Sequence, residues 1–306
     1  MTDGGEEVLK VENLKVSFNH GSTRTEIVHG ISMAVHTGQV RVILGESGSG
    51  KTVFVRSSVG MNPRHSLVDG SSTFCGDPIT FDGHGGGGSH FGKDIGMIFQ
   101  DPTASLDPMY TVGEQLCEAI RAATNITSAM ERRHRAVSLI ESVRIREPEK
   151  AFDLYPHEMS GGMRQRISIA IAIAGSPKLI VADEPSSALD ASVGVHVVHL
   201  INDLRNTAGT AVLFITHDIS AARIIAAKPS DRVSVILKGN VVEEGPASSV
   251  LHHAMHPYTQ ALLGCEPSRD VVRGCLSVVP DSIRSCEQWG SLAEIEPDHF
   301  VALGSR

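Results

Sequence analysis

Eight consecutive residues, Gly45-Glu46-Ser47-Gly48-Ser49-Gly50-Lys51-Thr52, fit the pattern G-x-x-x-x-G-K-[ST] at every fixed position. Val40-Arg41-Val42-Ile43-Leu44 just before them reads as a short buried strand, and Val53-Phe54-Val55-Arg56 just after them can begin a helix. Strand, glycine loop and helix together are the setting of a P-loop. The glycines let the backbone turn tightly and aim its N–H groups inward, and the helix N-terminus adds positive dipole. Lys51 is then expected to reach the β- and γ-phosphates, and Thr52 to put a hydroxyl on Mg²⁺. The expectation is a chain that binds a nucleoside triphosphate.

With 306 residues there is room for one large α/β domain plus an appendage, or for two modest domains. Acidic side chains outnumber basic ones, 35 to 27, so the basic footprint expected of a nucleic-acid binder is absent at the whole-chain level. The first residues, Met1-Thr2-Asp3-Gly4-Gly5-Glu6-Glu7, are acidic and small, unlike a signal or transit peptide. Apolar runs such as Ile167 to Ala174 are too short to span a bilayer. Five cysteines without a C-x-x-C pair suggest free thiols in a reducing compartment. These bounds point to a cytoplasmic protein.

Residues 8–18, Ile27 to Val35 and Val40 to Leu44 suit strands, with a hairpin loop over Asn19 to Thr23. Phe18, upstream of the P-loop, is a candidate to stack on a base, though a strand aromatic in a core is an equal reading. Residues 66–99 read as short strands and loops. The run Gly83-His84-Gly85-Gly86-Gly87-Gly88 lacks Lys-[ST] and reads as a surface loop. Asp94 to Gln100 reads as a buried strand ending in an amide. From Tyr110 to about Phe152 the period turns helical, an insert in an otherwise βα-alternating chain. Met163 to Ala174 is a helix apolar on nearly every face after Arg166, hence a buried one. Leu179 to Glu184 and Ala211 to Thr216 are buried strands, Val193 to Leu204 and Ser220 to Ala227 helices, and Val233 to Leu237 with Val241 to Glu244 a hairpin around Gly239-Asn240. Such alternation implies a mostly parallel sheet covered on both faces. Beyond Gly264 the pattern weakens into a small or partly ordered tail.

Asp183 and Glu184 close an apolar strand with two carboxylates. The first can hold Mg²⁺, and the second can accept a hydrogen bond from an attacking water as general base. His217 also follows a buried strand, at the carboxyl end where α/β sheets bind ligands, and could touch a γ-phosphate. Gln100 sits in the same kind of place with an amide able to ligate Mg²⁺ or touch water. Alone, each of the last two would read as a solvated loop residue. Ser160-Gly161-Gly162 at a helix start is a further anion site, with exposed N–H groups, a hydroxyl and a dipole. Two phosphate-binding helix termini in one chain suggest a head-to-tail dimer, one subunit's Ser-Gly-Gly closing over the other's P-loop.

The P-loop, Gln100, Met159-Ser160-Gly161-Gly162-Met163, Leu179 to Glu184, Ser187-Ala188-Leu189-Asp190 and His217 stand in the order found in ABC ATPases. They resemble the Walker A motif, Q-loop, signature, Walker B motif, D-loop and switch histidine of that family over residues 8–263. Gly96 to Pro102, Tyr155 to Arg166 and His256-Pro257-Tyr258-Thr259-Gln260-Ala261-Leu262-Leu263 resemble, more narrowly, the ATPase subunits of oligopeptide, dipeptide and nickel importers. Met159 departs from the usual leucine at the head of the signature.

The resemblance implies a P-loop ABC ATPase fold of class α/β, with a mostly parallel core sheet, an N-terminal antiparallel β subdomain and a helical insert. It implies a nucleotide-binding domain over 1–264, its helical subdomain at about 101–158, and a divergent tail over 265–306. ATP would lie against Gly45 to Thr52, Gln100 and Asp183 of one chain and Ser160, Gly161, Gly162 and Met163 of another, with Asp190 and Phe18 also among the nucleotide-binding residues. Thr52, Gln100 and Asp183 would hold Mg²⁺, with Glu184 and His217 catalytic. Implied partners are two permease subunits, a second ATPase subunit and, indirectly, an extracytoplasmic solute-binding protein, with no nucleic acid; the place is the cytoplasmic face of the membrane. The expected function is ATP-driven import of peptides; nickel or other small-solute import, and a soluble non-transport ABC ATPase, are the alternatives. Relatives often carry a tight cysteine-rich tail that can bind an iron–sulfur cluster. Here Cys265, Cys275 and Cys286 are widely spaced and read as free thiols, and His252, His253 and His256 as a histidine-rich loop rather than a metal site.

Overall fold

A computed structural model describes residues 5–20, 23–81, 90–265, 280, 283 and 289–304. The glycine run at 83–88, Cys275 and Cys286 lie outside the described residues. The chain opens with β1 (Glu7–His20), β2 (Thr23–His36), β3 (Val40–Leu44), α1 (Lys51–Ser58), β4 (Ser66–Phe74), the short β5 (Asp77–Pro78) and β6 (Ile95–Ile98). Four helices follow, α2 (Pro102–Ser105), α3 (Val112–Ala123), α4 (Ala129–Ser142) and α5 (Pro148–Phe152), and a 3₁₀ turn (Pro156–Glu158) leads to α6 (Gly161–Ala172). Next come β7 (Leu179–Asp183), α7 (Ala191–Ala208), β8 (Ala211–Thr216), α8 (Ile219–Ile225), β9 (Arg232–Leu237) and β10 (Asn240–Pro246). Last are α9 (Ala247–His252), α10 (Pro257–Gly264), β11 (Trp289–Glu296) and β12 (His299–Gly304).

Strand β3 shows why the layers stack as they do. All five of its residues are buried, so both faces must be covered. Because side chains alternate, Val40, Val42 and Leu44 enter the core under the helices, with Ile120, Ile167, Val198 and Ile225. Ile43 points the other way, into a second core with Phe54 and Val55 of α1 and Leu9, Val16 and Val35 of the first two strands. The main sheet runs β11-β12-β10-β9-β3-β8-β7-β6, and its five strands from β9 to β6 are parallel. The first two strands pair antiparallel and lead a separate sheet, β2-β1-β4-β5. This is the α/β architecture expected, with a mostly parallel core sheet and an N-terminal antiparallel one.

Local chemistry sets the element starts. Thr111 and Glu114 form a reciprocal capping box at α3, the hydroxyl accepting from Glu114 N–H at 3.3 Å and the carboxylate from Thr111 N–H at 2.8 Å. Ser160 caps α6, which therefore begins two residues earlier than its apolar pattern suggests. Below the sheet, the fully buried carboxylate of Asp231 holds Arg205 and accepts from Val40 N–H at 2.9 Å and Lys228 N–H at 2.8 Å. One ion pair thus ties α7 to the start of β3. The tail brings the main departure from expectation. Residues 289–304 form a regular hairpin that adds two strands to the sheet, Glu243 of β10 facing Val301 of β12.

Candidate active site

The turn from β3 into α1 passes through Gly50, whose φ of 98° is open only to glycine without strain. A Cβ there would stand 3.2 Å from Ile27 O, so the N-terminal sheet abuts the loop at this point. Lys51 folds back over the loop, its buried ammonium donating to Gly45 O at 2.9 Å and Glu46 O at 2.7 Å. Burial pulls its pKa below the ordinary lysine value, against the raising influence of Glu184, Asp183 and Glu46. Ser49 is buried in the same loop, and its hydroxyl has no hydrogen-bond partner among the described residues. Ser47 and Gly48 are exposed at the tip.

Strands β3 and β7, which flank β8 in the sheet, bring the loop and the two carboxylates together. Thr52 Oγ1 donates to Asp183 Oδ1 at 3.0 Å, and Arg56 donates to Asp183 Oδ2 through Nε at 3.2 Å and a terminal nitrogen at 2.9 Å. Glu184 follows with φ 47°, a left-handed conformation that a non-glycine residue holds at a cost of about 1–3 kcal/mol. Its N–H donates to Ile215 O at 3.0 Å, anchoring the turn on β8. The turn aims the carboxylate at two residues from other strand ends. Gln100 Nε2 donates to Oε2 at 3.1 Å, and His217 Nδ1 lies 3.2 Å from Oε1. Glu184 is buried whereas His217 is half exposed, so the pair spans the boundary between core and solvent. A cavity of about 450 Å³ beside it is lined by Glu184, Leu189, Thr216, His217 and Asp218. A larger one of about 710 Å³, lined by Arg41, Lys228 and Arg232, lies at the opposite ends of the strands and touches none of these groups.

Ser160, Gly161, Gly162 and Met163 stand at the open N-terminus of α6, the Ser160 hydroxyl accepting from Met163 N–H at 3.3 Å. They sit on the start of α7: a Cβ on Gly162 would be 2.8 Å from Val193 Cγ1. Asp190 is exposed at the N-cap of that helix. Signature and D-loop thus share one ledge. Phe18 is half-buried near the end of β1, opposite Thr25, against the second core. His256 is buried and caps α10, its Nδ1 accepting from Tyr258 N–H at 3.1 Å; burial lowers its pKa against the pull of Glu243.

The family model described as ABC transporter matches residues 28–187, from β2 through the P-loop to the turn after Glu184. The chain belongs to the ABC transporter family. It is 38% identical to the probable peptide ABC transporter ATP-binding protein y4tR of Sinorhizobium fredii, over 96% of this chain and 94% of that protein. It is 40% identical to the peptidoglycan transport ATP-binding protein YejF of Agrobacterium fabrum over 85% of this chain, and there it spans about half of the relative's length, 47%. Among solved structures it resembles a dimeric ATP-binding cassette in a post-hydrolysis state bound to ADP and Pi, with a TM-score of 0.67 and 25% identity, over 78% of this chain and 98% of that one. As an ABC subunit of this branch the protein is a nucleotide-binding ATPase. No helix of the described residues is long and apolar enough to cross a membrane.

Two residues at the site escaped the sequence reading. Arg56 lies four residues after Thr52, one helical turn, so the spacing itself would have put its guanidinium on the same face as the hydroxyl. Tyr258 has no such local signal. Its hydroxyl accepts from Glu46 N–H at 3.0 Å across 212 residues of chain.

Proposed function

We propose that this protein is the ATP-hydrolysing subunit of a membrane importer for peptides, bound to the cytoplasmic face of the membrane and working as one of a pair of ATPases. The observation that carries the reading is the convergence on Glu184 of Gln100 and His217, beside an Asp183 already tied to the P-loop by Thr52. The loop fits a triphosphate. Ser49 offers a buried hydroxyl without a partner among the described residues, and Lys51 an ammonium resting on carbonyls that a phosphate oxygen can replace. Thr52 and Asp183 form the hydroxyl–carboxylate pair that suits Mg²⁺, with Gln100 as a further oxygen ligand. The ion would neutralise charge between the β- and γ-phosphates.

In this reading Glu184 takes the proton of the attacking water, its two oxygens aimed by Gln100 and His217. Half-exposed His217 turns toward the γ-phosphate, and Phe18 stacks on the base. Arg56 balances the second oxygen of Asp183. Gly45 to Thr52 wrap the phosphates, while Ser160, Gly161, Gly162 and Met163, with Asp190 beside them, close over the site of a second ATPase subunit. Residues 1–264 act as the nucleotide-binding domain, with 265–306 as its tail. The helices at about 101–158 receive a permease: Met109 and Tyr110 are exposed there beside a groove of about 690 Å³ lined by Tyr110, Gln115, Ala119 and Ile171. Binding closes the pair, and hydrolysis and release open it, moving two permease subunits between their access states. The cargo in the names of the relatives, peptide and peptidoglycan, supports peptides as the transported class.

Pull-down of tagged protein from gently solubilised native membranes tests the assignment. Two polytopic permeases with a second ATPase or a solute-binding protein are expected, and the binding protein can then be screened against peptides. Ribosomal or DNA-associated partners without any membrane protein would overturn the transport reading.

A further inference from the structure

The Gly45–Glu46 peptide unit is held from both sides. Its carbonyl accepts from Lys51 Nζ at 2.9 Å, and its N–H donates to Tyr258 Oη at 3.0 Å. A peptide plane fixed at its N–H cannot rotate its carbonyl away, so the tyrosine hydroxyl sets where the P-loop lysine rests. Tyr258 is itself fully buried, and its own N–H donates to His256 Nδ1. The turn carrying both is pinned by one carboxylate: Glu243 accepts from Met255 N–H at 2.8 Å through Oε1 and from His256 N–H at 3.1 Å through Oε2. Glu243 in turn faces His299 Nε2 at 2.8 Å, and both side chains are buried. His299 is the first residue of β12, in the hairpin added to the far edge of the sheet. An unbroken path of buried and partly buried polar contacts thus joins the tail hairpin to the nucleotide loop, through the His256-Pro257-Tyr258 segment.

We infer that Tyr258 is a positioning residue for Lys51, and that docking of the 289–304 hairpin through His299 and Glu243 sets the affinity of the P-loop for nucleotide. The inference rests on the P-loop being the nucleotide site. It makes the C-terminal hairpin a determinant of ATP binding, although it contributes no atom to the phosphates. Tyr258→Phe keeps the ring and removes only the hydroxyl. His299→Ala removes the contact with Glu243, whereas His299→Gln places a nitrogen donor where Nε2 was.

The test is a titration of each full-length variant with a non-hydrolysable ATP analogue and Mg²⁺, reading Kd and stoichiometry separately, with a thermal melt of each. Tyr258→Phe is expected to raise Kd about fivefold, the effect of one hydrogen bond, at unchanged stoichiometry. His299→Ala should raise it by about twofold to fivefold, and His299→Gln should leave it within about twofold of the parent. In the double variant the second change should add less than about twofold, since both act along one path. An unchanged Kd in Tyr258→Phe overturns the inference, as does lost stoichiometry at parental Kd, which marks misfolding alone. Fully multiplicative effects, or equal effects of the two His299 substitutions, overturn the link to the hairpin. A parent protein that fails to bind the analogue would instead refute the nucleotide site itself.

Discussion

Replacing Glu184 by glutamine tests the chemistry at the centre of the site with the least disturbance of its frame. The amide has the size of the carboxylate and retains one oxygen, so Gln100 Nε2, now 3.1 Å from Oε2, still finds an acceptor. The contact of Oε1 with His217 Nδ1 at 3.2 Å persists when the imidazole presents an unprotonated nitrogen to the amide NH₂. Neither the left-handed backbone at this position nor the anchor to Ile215 depends on the charge. At most one neutral hydrogen bond is exchanged, a change of about 1 kcal/mol in stability. Proton acceptance is lost altogether, because an amide does not take a proton near neutral pH. General-base catalysis contributes about 10²–10⁴ in rate, so the barrier should rise by roughly 2.7–5.4 kcal/mol. Phosphate release at saturating ATP should therefore fall at least a hundredfold, while titration with ATP gives a Kd within about threefold of the parent. Turnover within tenfold of the parent would show that another group accepts the proton, and the role given to Glu184 would be wrong.

Three further outcomes follow from charge and burial. Lys51→Ala removes the ammonium aimed into the loop, and since hydrogen bonds from a charged group contribute about 1.5–3 kcal/mol each, affinity should drop by about a hundredfold or more; equilibrium titration showing normal ATP affinity would refute the phosphate role. Asp231→Ala leaves the guanidinium of fully buried Arg205 without its carboxylate, which should cost about 3–5 kcal/mol in chemical denaturation; a loss under about 1 kcal/mol contradicts the picture of that pair as the tie between α7 and β3. Burial lowers the His256 pKa, so the unfolded chain takes the proton first: its contribution is complete above about 6.5 and is lost as the pH falls through that value toward the folded pKa. Urea midpoints measured from pH 7.5 to 5 should decline, and His256→Asn, which can still cap α10, should flatten the decline; an identical slope in the variant would show that other groups cause it.

What the sequence revealed and what it hid divide along a physical line. The P-loop was legible because its backbone demands glycine at fixed places, and β3, β7 and β8 because a strand buried on both faces is apolar at nearly every position, the buried Arg41 of β3 being paired with Glu244. The hairpin of β11 and β12 was hidden for the complementary reason. β11 lies at a sheet edge with Leu292 and Ile295 exposed, so its apolar residues follow no inward-facing alternation that a reader could detect. The φ of Glu184 was equally invisible, since the left-handed turn is imposed by the neighbouring strand and not by a residue that prefers it.

The same division explains why the least legible parts bear on nucleotide binding. Lys51 could have been held by a partner near it in sequence, and Thr52 and Arg56 do reach Asp183 from adjacent turns of α1. The N–H of Glu46 is instead satisfied by Tyr258, on a helix supported by Glu243 and, beyond it, His299. Because the contact closes a loop of more than two hundred residues, it forms only when α10 and the P-loop are both in place. A local contact would have made the loop indifferent to the C-terminus. Its long-range partner makes nucleotide affinity depend on the far edge of the sheet, which no segment read alone could disclose.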